Sequence, residues 1–252
     1  MINWKERFRA AGIHFALSLA VAALAALLVF GLWYPYPYRE ISGGRELFFI
    51  VVAVDVILGP LITLAIFNRR KPWTELRRDL VIVVLIQLAA LGYGLWTVFV
   101  ARPVHLVFEI DRFRVVHAIE VDEDLMSRKA AEVQAMPVLG PSLLTIRAFK
   151  NSQESFEATL SALRGAHIGA RPDFWQPYAA GKADVLRAAK PVSQLKTRFP
   201  ARVADIDKVL KDAGRTPDAM AYVPMMGRQS FWTAFVDPVT ADVVAFMPLD
   251  SF

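Results

Sequence analysis

Leu47 to Phe67 reads LFFIVVAVDVILGPLITLAIF, and how this stretch is read decides the fold. Its twenty-one residues are apolar apart from Asp55 and Thr63. At about 1.5 Å per residue a helix of that length spans roughly 32 Å, the thickness of a bilayer's hydrocarbon core. A carboxylate at that depth costs about 2.5–3.5 kcal/mol on insertion scales, so Asp55 needs a partner. Pro60 has no N–H for the Val56 carbonyl in α-helical register, so the helix should kink or loosen there. Gly59, next to it, would let a second helix approach closely.

Upstream, Gly12 to Tyr34 is another apolar run, carrying only His14 and Ser18 as polar residues. It is longer than the roughly 7–15 residues of a signal-peptide core, and two more runs follow it, so it reads as an uncleaved span. Met1 to Ala11 is basic, and its Trp4 and Phe8 have the spacing of a short helix lying at the headgroups. Trp33-Tyr34-Pro35-Tyr36-Pro37-Tyr38 closes the first run. Its rings suit the interfacial belt and its prolines stop the helix. Residues 39–46, REISGGRE, read as a turn. Downstream, Leu80 to Val100 is interrupted by Gln87, Thr97 and the pair Gly92 and Gly94. The expected spans are therefore residues 12–34, 47–67 and 80–100, inside a membrane domain of residues 1–101. Three Lys/Arg precede the first span, five lie in residues 68–79 and two in the 35–46 loop. The positive-inside bias makes the N-terminus cytoplasmic and sends residues 102–252 to the far side, the periplasm of a bacterial cell.

Residues 102–252 are long enough for one domain with its own core. Val104–Ile110 and Phe113–Val121 read as strands around Asp111-Arg112. Asn151 and Glu154 form a capping-box pattern before a helix whose apolar face is Phe156, Leu160 and Leu163, with Gly165 ending it. Ala201–Ala213 reads as a second amphipathic helix, with Val203, Ile206, Val209 and Leu210 inward, an outer Asp207–Lys211 pair and a Gly214 cap. Ala221–Met226, Ser230–Val236 and Asp242–Met247 read as closing strands, the last two joined by a turn at residues 237–241. The fold class is α+β: a three-span helical membrane bundle followed by one periplasmic α+β domain.

Composition excludes several classes. The net charge is +5, and residues 1–100 hold ten Lys/Arg against six Asp/Glu, so the basicity belongs to the membrane half. A nucleic-acid partner would need a basic face on the soluble part. There is no Cys, which removes disulfides and thiolate metal sites. His105, His117 and His167 lack ligand spacing, so no metal or cofactor is expected. Glu120 to Asp124 reads as a solvated acidic turn. No nucleophile elbow is present and no second carboxylate sits inside the membrane, so catalysis is not expected.

Three segments carry a family resemblance: Trp33-Tyr34-Pro35, then VDVILGPLITLAIFN (Val54–Asn68), then RRDLVIVVLIQLAALGYGLWTVFVARPVHLVFEIDRFRVV (Arg77–Val116). Over roughly residues 10–120 the chain resembles the type IV pilin accessory proteins of the TfpX/TfpZ kind. The resemblance implies an inner-membrane, chaperone-like protein that binds and stabilises a major pilin before pilus assembly. It implies no enzymatic activity, and its partners would be the pilin and membrane lipid. The alternative function is a membrane-anchored periplasmic sensor or ligand-binding protein; a membrane hydrolase is a more distant one.

The candidate partner-binding residues are Asp55, Gly59, Pro60, Gln87, Gly12, Ala16 and Ala20. Asp55 has two readings: a contact with a pilin helix, or an internal bond to Gln87, His14, Ser18 or a freed backbone group near Pro60. Gly12, Ala16 and Ala20 repeat every four residues, a close-packing face that serves either the protein's own bundle or a client helix. His14 reads as an interfacial residue, and Gly92-Tyr93-Gly94 as a packing notch. Near the C-terminus, Met225, Met226 and Phe252 are candidates for an exposed patch beside a core of Phe231, Trp232, Phe235, Phe246 and Met247.

Overall fold

The computed structural model describes residues 4–68 and 71–252. Two compact units emerge, and the chain alternates between them: residues up to Tyr36 with Gly43–Ala101, and Pro37–Ser42 with Arg102–Phe252. The first unit holds three helices long and apolar enough to cross a membrane: α1 (Trp4–Trp33), α3 (Gly44–Ile66) and α4 (Trp73–Val100). The short α2 (Tyr38–Ile41) belongs to the second unit.

The helices differ from expectation at their ends and in register. α1 starts at Trp4, so the segment expected to lie at the headgroups is continuous with the first span. Its last turn, Val29–Trp33, is π-helical. Tyr34, expected in the interfacial belt, is fully buried in a cluster with Ala25, Val29, Phe48 and Val98. Its hydroxyl donates to the Val98 carbonyl at 3.0 Å. A Cβ at Gly44 would overlap the Tyr34 ring, so that glycine lets α3 begin there. Of these rings, Tyr36 is exposed.

The second unit is an eight-stranded mixed sheet. Its strands are β1 (Pro103–Glu109), β2 (Arg112–His117), β3 (Ser142–Ile146), β4 (Trp175–Pro177), β5 (Lys190–Pro191), β6 (Ala221–Met226), β7 (Phe231–Val236) and β8 (Val243–Met247). The order is β4-β3-β1-β2-β6-β7-β8, with β5 paired to β6. β1–β3 and β2–β6 are parallel and the other pairs antiparallel. β2 stops at His117, short of the Val121 expected, because residues 118–120 turn into a 3-10 helix.

Alternation sorts the strand residues onto two faces, as a pleated backbone must. Leu106, Phe108, Phe113, Val115, Val223, Met225, Trp232 and Ala234 share one core with Tyr38 and Ile41 of α2 and Val185 of α6 (Lys182–Ala188). Tyr222, Phe235 and Met247 pack instead with Val192 and Leu195 of α7 (Val192–Arg198) and Ile206 and Leu210 of α8 (Val203–Asp212). α8 ends as expected, with Gly214 at φ +70°. Its ion pairing differs: Asp207 meets Lys196 at 2.7 Å, and Lys208 meets Asp212. Met225, a candidate for exposure, is fully buried; Phe231 and Phe252 meet edge-to-face at the surface, with ring centroids 5.2 Å apart.

α5 (Ser152–Leu163) starts where its cap predicts, with the Asn151 side chain accepting the Glu154 N–H at 2.8 Å. The Arg147 guanidinium beside Glu154 holds that carboxyl down to about 2. Its apolar face does not turn inward. Phe156, Leu160 and Leu163 are exposed, and Ala158 is the residue that faces in.

A third core of Val104, Val107, Val116, Leu144 and Trp175 surrounds His105, which is fully buried. The His105 Nε2–H donates to the Ala135 carbonyl at 2.9 Å, and Nδ1 accepts from the Ser142 hydroxyl at 2.7 Å. That assignment fits a neutral ring, and burial pushes its pKa down to about 4 from an ordinary 6.5. Between those values the unfolded chain binds a proton that the folded domain refuses, so stability rises with pH. The contribution is complete above about pH 6.5 and lost as pH falls through 4, a span of about 3 kcal/mol. Urea titrations of the full chain from pH 7 to 4 should show this slope, and His105→Gln should flatten it. Equal slopes in the two proteins would show that His105 binds its proton equally well in the folded and unfolded states.

Candidate functional site

The membrane unit builds its site around the break in α3. Residues Val54–Leu58 form a single π-helical turn directly before Gly59-Pro60. In π register a carbonyl reaches for the N–H five residues on instead of four. For Asp55 that residue is Pro60, which has none. The carbonyl left over is therefore that of Asp55, one residue before the Val56 carbonyl that α-helical register implies. Gln87 of α4 satisfies it, its Nε2 donating to the Asp55 backbone oxygen at 3.0 Å. The contact depends on Gly59, because a Cβ there would overlap the Gln87 amide.

The other expected residues divide by their surroundings. His14, read as interfacial, pairs across to α3: its Nδ1 lies 2.5 Å from Thr63 Oγ1, and Thr63 is buried. Gly94 is a packing notch, since a Cβ there would overlap Val51, while Gly92 faces open space. Gly12, Ala16 and Ala20 are all exposed. α1 packs through Ala11, Ala22 and Ala25, a different face of the same helix. So the structure brings Asp55, Gly59, Pro60 and Gln87 together and leaves the stripe of small residues outside that group.

Around Asp55 lies a cavity of about 170 Å³, lined from all three helices. α1 supplies His14, Leu17, Ser18, Val21 and Ala22; α3 supplies Val52 and Asp55; α4 supplies Val84, Gln87, Leu88 and Leu91. Leu17, Val21, Val84 and Leu88 are exposed, so the cavity is a cleft open at the side of the bundle. Among the described residues no hydrogen bond reaches the Asp55 carboxylate or the Ser18 hydroxyl. Ser18 is among the internal partners expected for Asp55; it stands four residues from His14, on the same helix face.

Such an arrangement can bind an apolar surface that brings a polar group to Asp55. No group of three His, Cys, Asp or Glu able to hold a metal ion occurs among the described residues.

Comparisons with known proteins place these features in context. The family model of the fimbrial assembly protein FimB matches residues 2–43. The fimbrial assembly proteins of Dichelobacter nodosus serogroups I and E1 are 34% and 32% identical to this chain, each over 98% of both lengths. The protein of serogroups C1 and C2 is 45% identical over 116 residues, which are 44% of this chain and 88% of that relative. No solved structure matches.

Proposed function

The chain belongs to the fimbrial assembly proteins, a type IV pilin accessory family, and from that premise we propose that it binds a type IV pilin in the membrane before assembly. Its role lies in fimbrial biogenesis. The binding is stoichiometric and non-catalytic. The three-helix bundle shields the apolar helix of the pilin, and the C-terminal domain holds or checks the pilin head. Extraction of the pilin then has to break these contacts, so they are reversible.

The observation that carries this reading is the side-open cleft at Asp55, at the depth where an apolar client helix would lie. The path of the chain supports the orientation. Tyr38 and Ile41, from the loop between α1 and α3, lie in the core of the C-terminal domain. A residue in a folded core is on the same side of the membrane as that core, so α3 and α4 together must return the chain to the side they left. With the Lys/Arg bias, this favours an inner-membrane protein with a cytoplasmic N-terminus and a periplasmic domain.

Deleting the gene should lower pilin abundance and piliation, and an affinity-tagged full chain should bring the pilin with it out of mild detergent. Unchanged fibres and pilin levels in the deletion strain, together with no co-purifying pilin, would refute the reading.

A further inference from the structure

We propose that the Asp55 cleft docks one apolar membrane-spanning helix that carries a hydrogen-bond donor at the depth of Asp55. The inference rests on the pilin-binding reading and names the chemistry by which the client helix is recognised. The protein's own polar groups at this depth are mostly spent. His14 is taken by Thr63, and the Gln87 amide by the Asp55 backbone. The Asp55 carboxylate and the Ser18 hydroxyl are left facing the same cleft without a bond among the described residues. A carboxyl group keeps acceptor oxygens in either protonation state, so its complement is a donor: a hydroxyl, an amide or an ammonium.

The shape selects a helix as the carrier of that donor. The lining runs from His14 to Ala22 on α1 and from Val84 to Leu91 on α4, which is about 10–12 Å of helix at 1.5 Å per residue. That is about two turns, and the cleft is open sideways, so a neighbour already in the bilayer enters by lateral diffusion. A lipid acyl chain would fill the apolar part but brings no donor to this depth. Gly12, Ala16 and Ala20 lie on another face of α1 and serve as the control surface.

The test uses the full chain reconstituted in phosphatidylethanolamine/phosphatidylglycerol vesicles. The probes are two synthetic Leu/Ala membrane-spanning peptides that differ at one central position, Asn in one and Leu in the other. Energy transfer between labelled peptide and protein reads the affinity. The Asn peptide should bind about tenfold more tightly than the Leu peptide, the scale of an interhelical polar contact in lipid. Asp55→Leu should abolish that preference, and Val84→Trp, which fills the cleft from an exposed position, should abolish binding of both peptides. Ala16→Trp should change nothing. Equal binding of the two peptides, a preference that survives Asp55→Leu, or binding lost with Ala16→Trp and kept with Val84→Trp would each overturn the proposal. Should Asp55→Leu fail to fold, the Val84→Trp and Ala16→Trp pair decides alone. Pilin co-purification judges the underlying reading separately: a pilin that co-purifies while the peptides show no preference leaves the pilin reading standing and removes this one.

Discussion

Ile41→Asp is expected to unfold the C-terminal domain while leaving the three membrane helices in place. Ile41 lies between the first two spans, far in sequence from the sheet, yet it is fully buried in the sheet's core beside Tyr38. Gly227, after β6, exists to receive it, since a Cβ there would overlap the Ile41 side chain. Truncation to Ala should cost about 2–5 kcal/mol, as for other buried large-to-small changes. Asp should exceed that range, because it adds an unpaired carboxylate to an apolar core. Gly227→Val attacks the same contact from the other side by overpacking, and should cost about 1–3 kcal/mol. Limited proteolysis of the detergent-solubilised full chain gives the readout: the domain should become degradable in Ile41→Asp, with the membrane fragment still protected. A domain as resistant as the wild type would mean that α2 is not part of the folding unit.

Glu109→Ala is expected to cost about 3–5 kcal/mol, the penalty for removing one partner of a buried ion pair. Glu109 closes β1 and is 5% exposed. Its two oxygens accept from Arg114 Nε, both at 2.9 Å, and Oε1 also accepts the Gly169 N–H at 2.7 Å. The truncation leaves a guanidinium without its counter-charge and a buried N–H without an acceptor. Trp175 reports on this spot directly, because its Nε1–H donates to the Gly169 carbonyl at 2.7 Å. Its fluorescence in a urea titration should move to a lower midpoint in Glu109→Ala. Glu109→Gln keeps acceptor and shape and should lose less. Replacing Glu109 and Arg114 together with Leu should recover much of the deficit, as apolar exchange of a buried pair does elsewhere. A single-variant loss below about 1 kcal/mol would mean that water reaches and compensates the pair.

Much of the local structure was legible in the chain. The three long apolar helices are written in long runs of hydrophobicity with few polar residues, which requires no knowledge of partners. The Asn151 cap, the left-handed glycine at 214 and the turn at Asp237, whose carboxylate accepts from the Val239 and Thr240 N–H groups, are local events set by a few adjacent residues. What did not come through was mostly a matter of partners. β3 and β4 are short, and they are strands because β1 offers an edge to β3 and β3 one to β4, not because their own sequences alternate. The Phe156–Leu160–Leu163 face has perfect helical spacing and still stays exposed. Periodicity says which residues share a face of a helix, and nothing about whether another element covers it.

The Asp55 region shows the same division within a few residues. That a carboxylate sits inside an apolar span, next to a residue with no N–H, follows from composition and from the chemistry of proline, and both are properties of single residues. The carbonyl left over depends on hydrogen-bond register, which a single π turn shifts by one position. Whether Gln87 spends itself on the carboxylate or on the backbone depends on how closely α4 approaches Gly59. The fate of REISGGRE is the same matter at larger scale. Its polar composition reads as a turn, but Tyr38–Ile41 is a short helix and α3 begins at Gly44, which leaves residues 42–43 as the turn; Ile41 is buried because a sheet built from residues more than sixty positions away folds around it. Hydrophobicity and backbone chemistry act residue by residue and survive in the one-dimensional record. Burial, register and pairing are relations between distant segments, and they exist once the chain has closed on itself.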